Sequence, residues 1–114
     1  MSITNSLQRN AALRFADRRL GEARRLADCA DDAGHLSAQV VTRGGKFVVD
    51  DGRWWDYWQA LNDASVAYES AGLGLLAGRV AFMARRVAEL GGRENVRDAW
   101  AKFDRLNAGG CGVA

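Results

Sequence analysis

The sequence contains no proline, one histidine and two cysteines among its 114 residues. The absence of proline excludes collagen-like proteins and proline-rich linkers. One histidine and two cysteines, Cys29 and Cys111, are too few to build a four-ligand zinc site from these residue types alone. We therefore expect no metal and no cofactor, and we expect both thiols to be free.

The chain also lacks a long apolar run and a large excess of either charge. Sixteen Lys and Arg residues oppose fourteen Asp and Glu residues, for a net charge of +2. A dedicated nucleic-acid binder usually carries a stronger basic excess. No apolar segment is long enough to predict a transmembrane helix or a secretory signal, so a cytoplasmic protein without membrane contact is expected.

Apolar side chains recur at intervals of three and four residues in four segments, which predicts four helices over about 5–33, 53–71, 73–90 and 94–106. Between the first two segments, short apolar runs flank Gly44 and Gly45, a pair that favours the tight turn of a β-hairpin over about 36–50. The predicted fold is mainly α: a small bundle of about four helices with a short β-hairpin insertion. Residues 1–106 form one domain, and 107–114 a flexible tail.

Catalytic motifs are not found. His35 is the only imidazole, and it follows Gly34 at a predicted helix end, where the helix dipole favours histidine. No stretch fits the phosphate-binding loop or the dinucleotide-binding pattern. We therefore expect a protein that is not an enzyme.

Two groups of side chains lie away from the main apolar faces and are candidates for binding a protein partner. In the second predicted helix, over 53–71, Trp55 points about 100° away from Trp54 on a helical projection, and tryptophan is enriched at binding hot spots. In the third, over 73–90, a stripe apart from the main apolar face alternates large apolar residues with arginine, as protein interfaces do. This stripe consists of Leu75, Arg79, Phe82 and Arg86. The alternative is that both helices are central and that these side chains pack in the core.

A DNA-binding regulator is the second hypothesis. The spacing of Ala30, Gly34 and Val40 fits a helix-turn-helix, which would place residues 36–43 in the major groove, but His35 and Arg43 stand where that motif buries apolar side chains. The arginines that would contact nucleic acid are Arg14, Arg18, Arg25 and Arg43.

The first predicted helix is long for so small a domain, about 43 Å at 1.5 Å per residue. Leu7 and Ala11 lie off its main apolar face. We therefore expect a homodimer formed through this helix.

The chain combines an Ala- and Arg-rich predicted helix, Ala11–Ala30, with an aromatic cluster, Trp54–Trp58. In these two features it resembles the small inhibitors that phages and mobile elements encode against bacterial defences, in particular anti-CRISPR proteins. The resemblance implies a stoichiometric inhibitor that occupies a surface of a CRISPR-Cas effector or its nuclease. These inhibitors share no sequence motif, so the resemblance assigns no residue a role.

Overall fold

The computed structural model describes residues 3–36, 39–50 and 54–112. Within these ranges the chain is mainly helical, as predicted, with four α-helices, one short 3-10 turn at Gly91–Arg93 and two short strands. The elements follow in the order α1 (Ile3–Ala27), β1 (Gln39–Arg43), β2 (Lys46–Asp50), α2 (Trp54–Ser70), α3 (Gly74–Leu90) and α4 (Val96–Gly112). No helix in these ranges is both long and apolar enough to cross a membrane.

Helix α2 lies at the centre and packs against α1 on one side and α3 on the other. Its buried face carries Tyr57, Leu61 and Tyr68, and α1 meets it with the small side chains of Ala16 and Ala23. Small residues let the two helix backbones approach closely, so the large side chains of α2 fill the space between them. The molecule is elongated, with extents of 58 × 32 × 21 Å.

Polar contacts fix how α2 sits between its neighbours. The Tyr68 hydroxyl donates to Asp17 of α1 at 2.6 Å, and Arg19 pairs with Asp63 at 3.0 Å. On the opposite side, the buried Ser65 hydroxyl donates to the carbonyl of Ala77 in α3 at 2.9 Å. Because these bonds are specific in position, they set the register along the apolar faces.

The two strands pair antiparallel, from Gln39 opposite Asp50 to Arg43 opposite Lys46. Gly44 and Gly45 join them with positive φ angles of 58° and 77°, which suits a tight hairpin turn. The helix-turn-helix hypothesis is wrong in its geometry, because residues 39–43 of the expected recognition helix are extended. The β-branched residues of this segment favour a strand over a helix.

The first helix ends at Ala27 rather than at the predicted Ala33. Asp31 explains the earlier end: its carboxylate accepts the backbone N–H groups of Ala33 and His35, at 3.0 and 2.9 Å. Such local bonds offer the backbone an alternative to helix. The loop then packs on α4, where the N–H of Val96 donates to the carbonyl of Gly34 at 2.8 Å.

The last helix differs from its prediction at both ends. It begins at Val96 rather than near 94, because residues 91–93 form the 3-10 turn and the Asn95 side chain accepts the N–H of Asp98 at 3.1 Å, as a helix cap does. It continues to Gly112, so the predicted tail over 107–114 is helical as far as the structure describes it. Arg79 of α3 donates to the Asn107 side chain at 2.7 Å, which ties this last part of α4 to the body.

The second predicted helix, over about 53–71, is α2, which runs from Trp54 to Ser70. Arg53 lies outside the described residues. The third begins at Gly74 and ends at Leu90, as expected to within one residue. The long first helix is shorter than predicted, at 25 residues, or about 38 Å.

Candidate protein-binding surface

Helix α3 has two faces with different neighbours. Ala77, Val80, Met83 and Val87 are buried against the core. The stripe that sequence analysis singled out lies on the adjoining side, where Leu75 and Phe82 remain exposed. Because an α-helix has 3.6 residues per turn, a side chain two or five positions along the chain from a core residue points to a different side of the helix.

Helix α4 forms the second wall of an open groove beside this stripe. The groove has a volume of about 690 Å³, within the range of ligand-binding clefts. We call it the α3–α4 groove and define it by these lining residues: Leu75, Arg79, Phe82, Met83 and Arg86 of α3, Glu94 before α4, and Asp98, Ala99, Lys102, Phe103 and Leu106 of α4.

Three large apolar side chains in this groove are open to solvent. Leu75 is 72% exposed, Phe82 47% and Leu106 45%. Single exposed apolar residues are normal on a protein surface, whereas several in one concave place mark interaction sites. The buried side chains of Met83 and Phe103 form the floor between them.

Three cations line the same groove. Arg79 donates to the amide oxygen of Asn107 at 2.7 Å. The Lys102 ammonium lies 5.4 Å from the centroid of the Phe82 ring, and Arg86 lies 3.7 Å from the Glu89 carboxylate. The groove therefore has apolar surface with positive charge on both walls.

Glu94 lies at one end of the groove and is only 6% exposed. Its Oε2 atom has no hydrogen-bond partner among the described residues. Burial raises the pKa of Glu94 to about 7; the Arg86 guanidinium opposes this rise and the Glu89 carboxylate adds to it. The carboxyl group is therefore partly protonated near neutral pH, which weakens the negative charge at this end.

Tyr57 and Trp100 bring two further buried polar atoms close to Glu94. Neither the Tyr57 hydroxyl nor the Trp100 indole nitrogen has a hydrogen-bond partner of normal geometry among the described residues. Burial raises the pKa of Tyr57 above its usual range and the charge of Glu94 raises it further, whereas the nearby Trp100 N–H opposes the rise.

Trp55 does not belong to the groove. It lies at the start of α2, is 58% exposed, and stacks on Trp58 with ring centroids 5.1 Å apart. Trp54 meets it edge-on at 5.7 Å. The structure thus brings together Leu75, Arg79, Phe82 and Arg86 and leaves Trp55 in a separate aromatic cluster.

Three of the four arginines of the DNA-binding hypothesis lie along α1. Arg14, Arg18 and Arg25 are exposed, and the Arg18 guanidinium lies 5.6 Å from the centroid of the Phe15 ring. Arg43 is in β1, and its side chain lies outside the described part of the structure. Residues 39–43 form a strand, so the recognition helix that the motif requires is not formed there.

The described residues contain no group of three or more His, Cys, Asp or Glu side chains that could hold a metal ion. His35 takes part in the loop after α1, where its backbone N–H donates to Asp31 at 2.9 Å. Cys29 is a free, exposed thiol, and the side chain of Cys111 lies outside the described part of the structure.

The α4 wall of the groove was not predicted from the sequence. Lys102, Leu106 and Glu94 were not among the predicted binding residues. Their role depends on how α4 lies beside α3, which no periodicity within one segment reveals. The sequence signal for a binding surface was the alternation of cationic and apolar residues in α3, a pattern that is typical of protein interfaces.

Comparison with known proteins gives no relative for this chain: no family model, no curated protein and no solved structure matches it.

Proposed function

We propose that the protein is a non-enzymatic binding protein that occupies a surface of its partner through the α3–α4 groove. The observation that carries this proposal is the convergence of Leu75, Phe82 and Leu106, all largely exposed, on one groove lined with cations. Interfaces combine apolar cores with arginine in this way. The apolar surface of Leu75, Phe82 and Leu106 would be removed from water only when a partner binds.

The resemblance to anti-CRISPR proteins supplies the first partner to test. On this proposal the chain is a phage-encoded inhibitor that acts in the bacterial cytoplasm and blocks a CRISPR-Cas effector complex or its nuclease. Its small size, its aromatic cluster at Trp54–Trp58 and its Arg-rich first helix support this choice. Inhibition would be stoichiometric, because it requires only that the surface stay covered.

The test is a binding titration of purified CRISPR-Cas effector complexes with the protein and four variants. Phe82→Asp and Arg86→Glu change the groove. Val66→Asp and Arg85→Glu make the same changes at exposed positions outside it. We expect the first pair to weaken binding at least about tenfold, as loss of a hot spot does, and the second pair to bind as the parent does.

Circular dichroism and thermal melting of the same variants serve as the folding control. The four substituted residues are exposed, so all four variants should keep the helical spectrum and the melting temperature. Unfolding of both groove variants would show that these side chains hold the core, and the binding proposal would then fail.

Binding to a 30-base-pair DNA duplex separates the proposal from the DNA-regulator alternative. Nucleic-acid binding through Arg14, Arg18, Arg25 and Arg43 would fall steeply with salt, because each neutralised phosphate releases counterions. We expect no gel shift at micromolar protein. A tight, salt-sensitive shift would instead make DNA the partner.

We also propose that two copies of the chain form a homodimer through α1. Leu7 is 61% exposed and Phe15 40% exposed on this helix. Sedimentation at several concentrations tests the homodimer, and Leu7→Asp should convert it to a monomer.

A further inference from the structure

We infer that the α3–α4 groove binds an amphipathic helix of its partner whose polar face is acidic. This inference rests on the proposed function and names the chemistry of the segment that fills the groove. It is carried by the shape of the groove, by the spacing of its exposed apolar side chains and by the cations on both of its walls.

The shape of the groove suits a helix. Two helices form its walls, and Met83 and Phe103 form an apolar floor between them. Leu75 and Phe82 are seven residues apart on α3, about 10 Å or two helical turns. A helix laid in a groove presents anchors at the same interval, i, i+3 or i+4, and i+7, so its apolar face would cover both side chains.

The charge of the groove favours carboxylates on that helix. Arg79 is bonded to a neutral amide rather than to a carboxylate, and Lys102 lies over an aromatic ring. Both cations would gain from a carboxylate that arrives with the partner. Arg86 lies further along α3, with Glu89 at 3.7 Å, and extends the positive wall by two turns from Arg79.

Two acidic residues of the lining oppose this preference. Glu94 is buried at one end of the groove and is surrounded by Arg86, Glu89 and Tyr57. Burial raises its pKa to about 7, which reduces its charge near neutral pH. Asp98 lies in the first turn of α4, where the helix dipole favours a negative charge. Arg86 is already paired with Glu89, so the positive charge of the open part of the groove comes from Arg79 and Lys102, neither of which pairs with a carboxylate among the described residues.

Three synthetic helical peptides test the inference directly. Each has about 15 residues, near the shortest length at which isolated helices persist, and each carries the same Leu and Phe anchors. The polar positions are all Glu, all Gln or all Lys. Fluorescence anisotropy of the labelled peptides, titrated with the full chain at low and at high salt, gives the three dissociation constants.

We expect the Glu peptide to bind about tenfold more tightly than the Lys peptide at low salt, with the Gln peptide between them. The difference should shrink at high salt, because ions screen exposed charges. Equal affinities, or a preference for the Lys peptide, would overturn the inference; the second result would make Glu94 and Asp98 the recognition groups.

Two pairs of variants locate the binding and separate the possible failures. Lys102→Glu should abolish the preference for the Glu peptide, whereas Arg105→Glu, the same change on α4 outside the groove, should leave it intact. Phe82→Asp should weaken all three peptides, and Val66→Asp none. If all three bind equally and Phe82→Asp releases them, the groove still binds protein and only the acidic preference is wrong. If none binds, or Phe82→Asp has no effect, groove binding itself fails.

Discussion

The Arg24 guanidinium of α1 lies 4.2 Å from the centroid of the Trp100 ring of α4. The same guanidinium donates two hydrogen bonds to Asp104, at 2.8 and 3.1 Å. The planar face of the guanidinium thus packs on the Trp100 ring while its N–H edge binds the Asp104 carboxylate. This contact holds the first helix to the last, which otherwise touch little.

Replacing Arg24 by alanine should lower the free energy of unfolding by about 1 to 1.5 kcal/mol, the sum of an exposed cation–π contact and an exposed ion pair. Arg24→Lys should lose less, since it keeps the charge but not the planar fork. Urea denaturation measures both. Arg25→Ala, at the exposed neighbouring position, is the control and should change stability little.

The hydrogen bond from Arg24 also lowers the pKa of Asp104 below its ordinary 3.8. An acid with a lowered native pKa stabilises the fold above its unfolded pKa and loses that contribution as pH falls through the native value. The stability difference between the parent protein and Arg24→Ala should therefore shrink below about pH 3.8. A difference that stayed constant into acid would contradict the role of Asp104.

Glu94 should give the protein a stability that falls as pH rises. Its native pKa of about 7 exceeds the ordinary 4.5, so the native state holds this proton more tightly than the unfolded chain does. By linkage, stability decreases between about pH 4.5 and pH 7 and levels off above that range. Urea denaturation at a series of pH values should show this decrease.

Glu94→Gln should remove this decrease and leave the variant more stable than the parent at pH 7 and above, because burial of a neutral amide costs less than burial of a charged carboxylate. Glu69→Gln, an exposed change at the end of α2, should keep the parent profile. A Glu94→Gln profile that still falls over the same pH range would assign the effect to another group.

The sequence predicted the helical class because α2, α3 and α4 each bury one face at regular spacing. It misplaced the end of α1, because the Asp31 side chain competes with the helix by bonds that apolar periodicity does not register. It misplaced the end of α4, because Asn107 is held by Arg79 from another helix. In both cases polar contacts that apolar periodicity does not register lie close to the point where the prediction failed.

The candidate site was predictable on one wall only. Leu75, Arg79, Phe82 and Arg86 share a stripe of a single helix, so their spacing alone groups them. Lys102 and Leu106 join them only through the packing of α4 beside α3. Trp55 was predicted as a second group of binding residues, and in the structure it lies apart from the groove, in contact with Trp54 and Trp58.

Gly34 should tolerate no side chain. It has a φ of 80°, and a Cβ atom there would overlap the side chain of Asn95, the cap of α4. We expect Gly34→Ala to cost about 2 kcal/mol or more, from the strained backbone and the displaced cap together. Thermal and urea denaturation measure this loss.

Gly44→Ala is the matched control that measures the cost of backbone strain alone. Gly44 also has a positive φ, 58°, but a Cβ atom there would meet nothing within 4 Å. This variant should lose about 1 kcal/mol from backbone strain alone. Equal losses at the two glycines would mean that the contact between Gly34 and Asn95 does not constrain the loop.

Two tryptophans test the division between core and surface. Trp100 is 5% exposed and Trp55 58% exposed. Trp100→Ala should cost about 3 to 5 kcal/mol, because it leaves a cavity between helices that nothing else fills. Trp55→Ala should cost about 1 kcal/mol, the value of its stacking on Trp58. Urea denaturation of both variants at one pH gives the comparison. A loss at Trp55 as large as that at Trp100 would show that the aromatic cluster at the start of α2 is a second core, and that its exposed ring is held by contacts within the chain rather than kept for a partner.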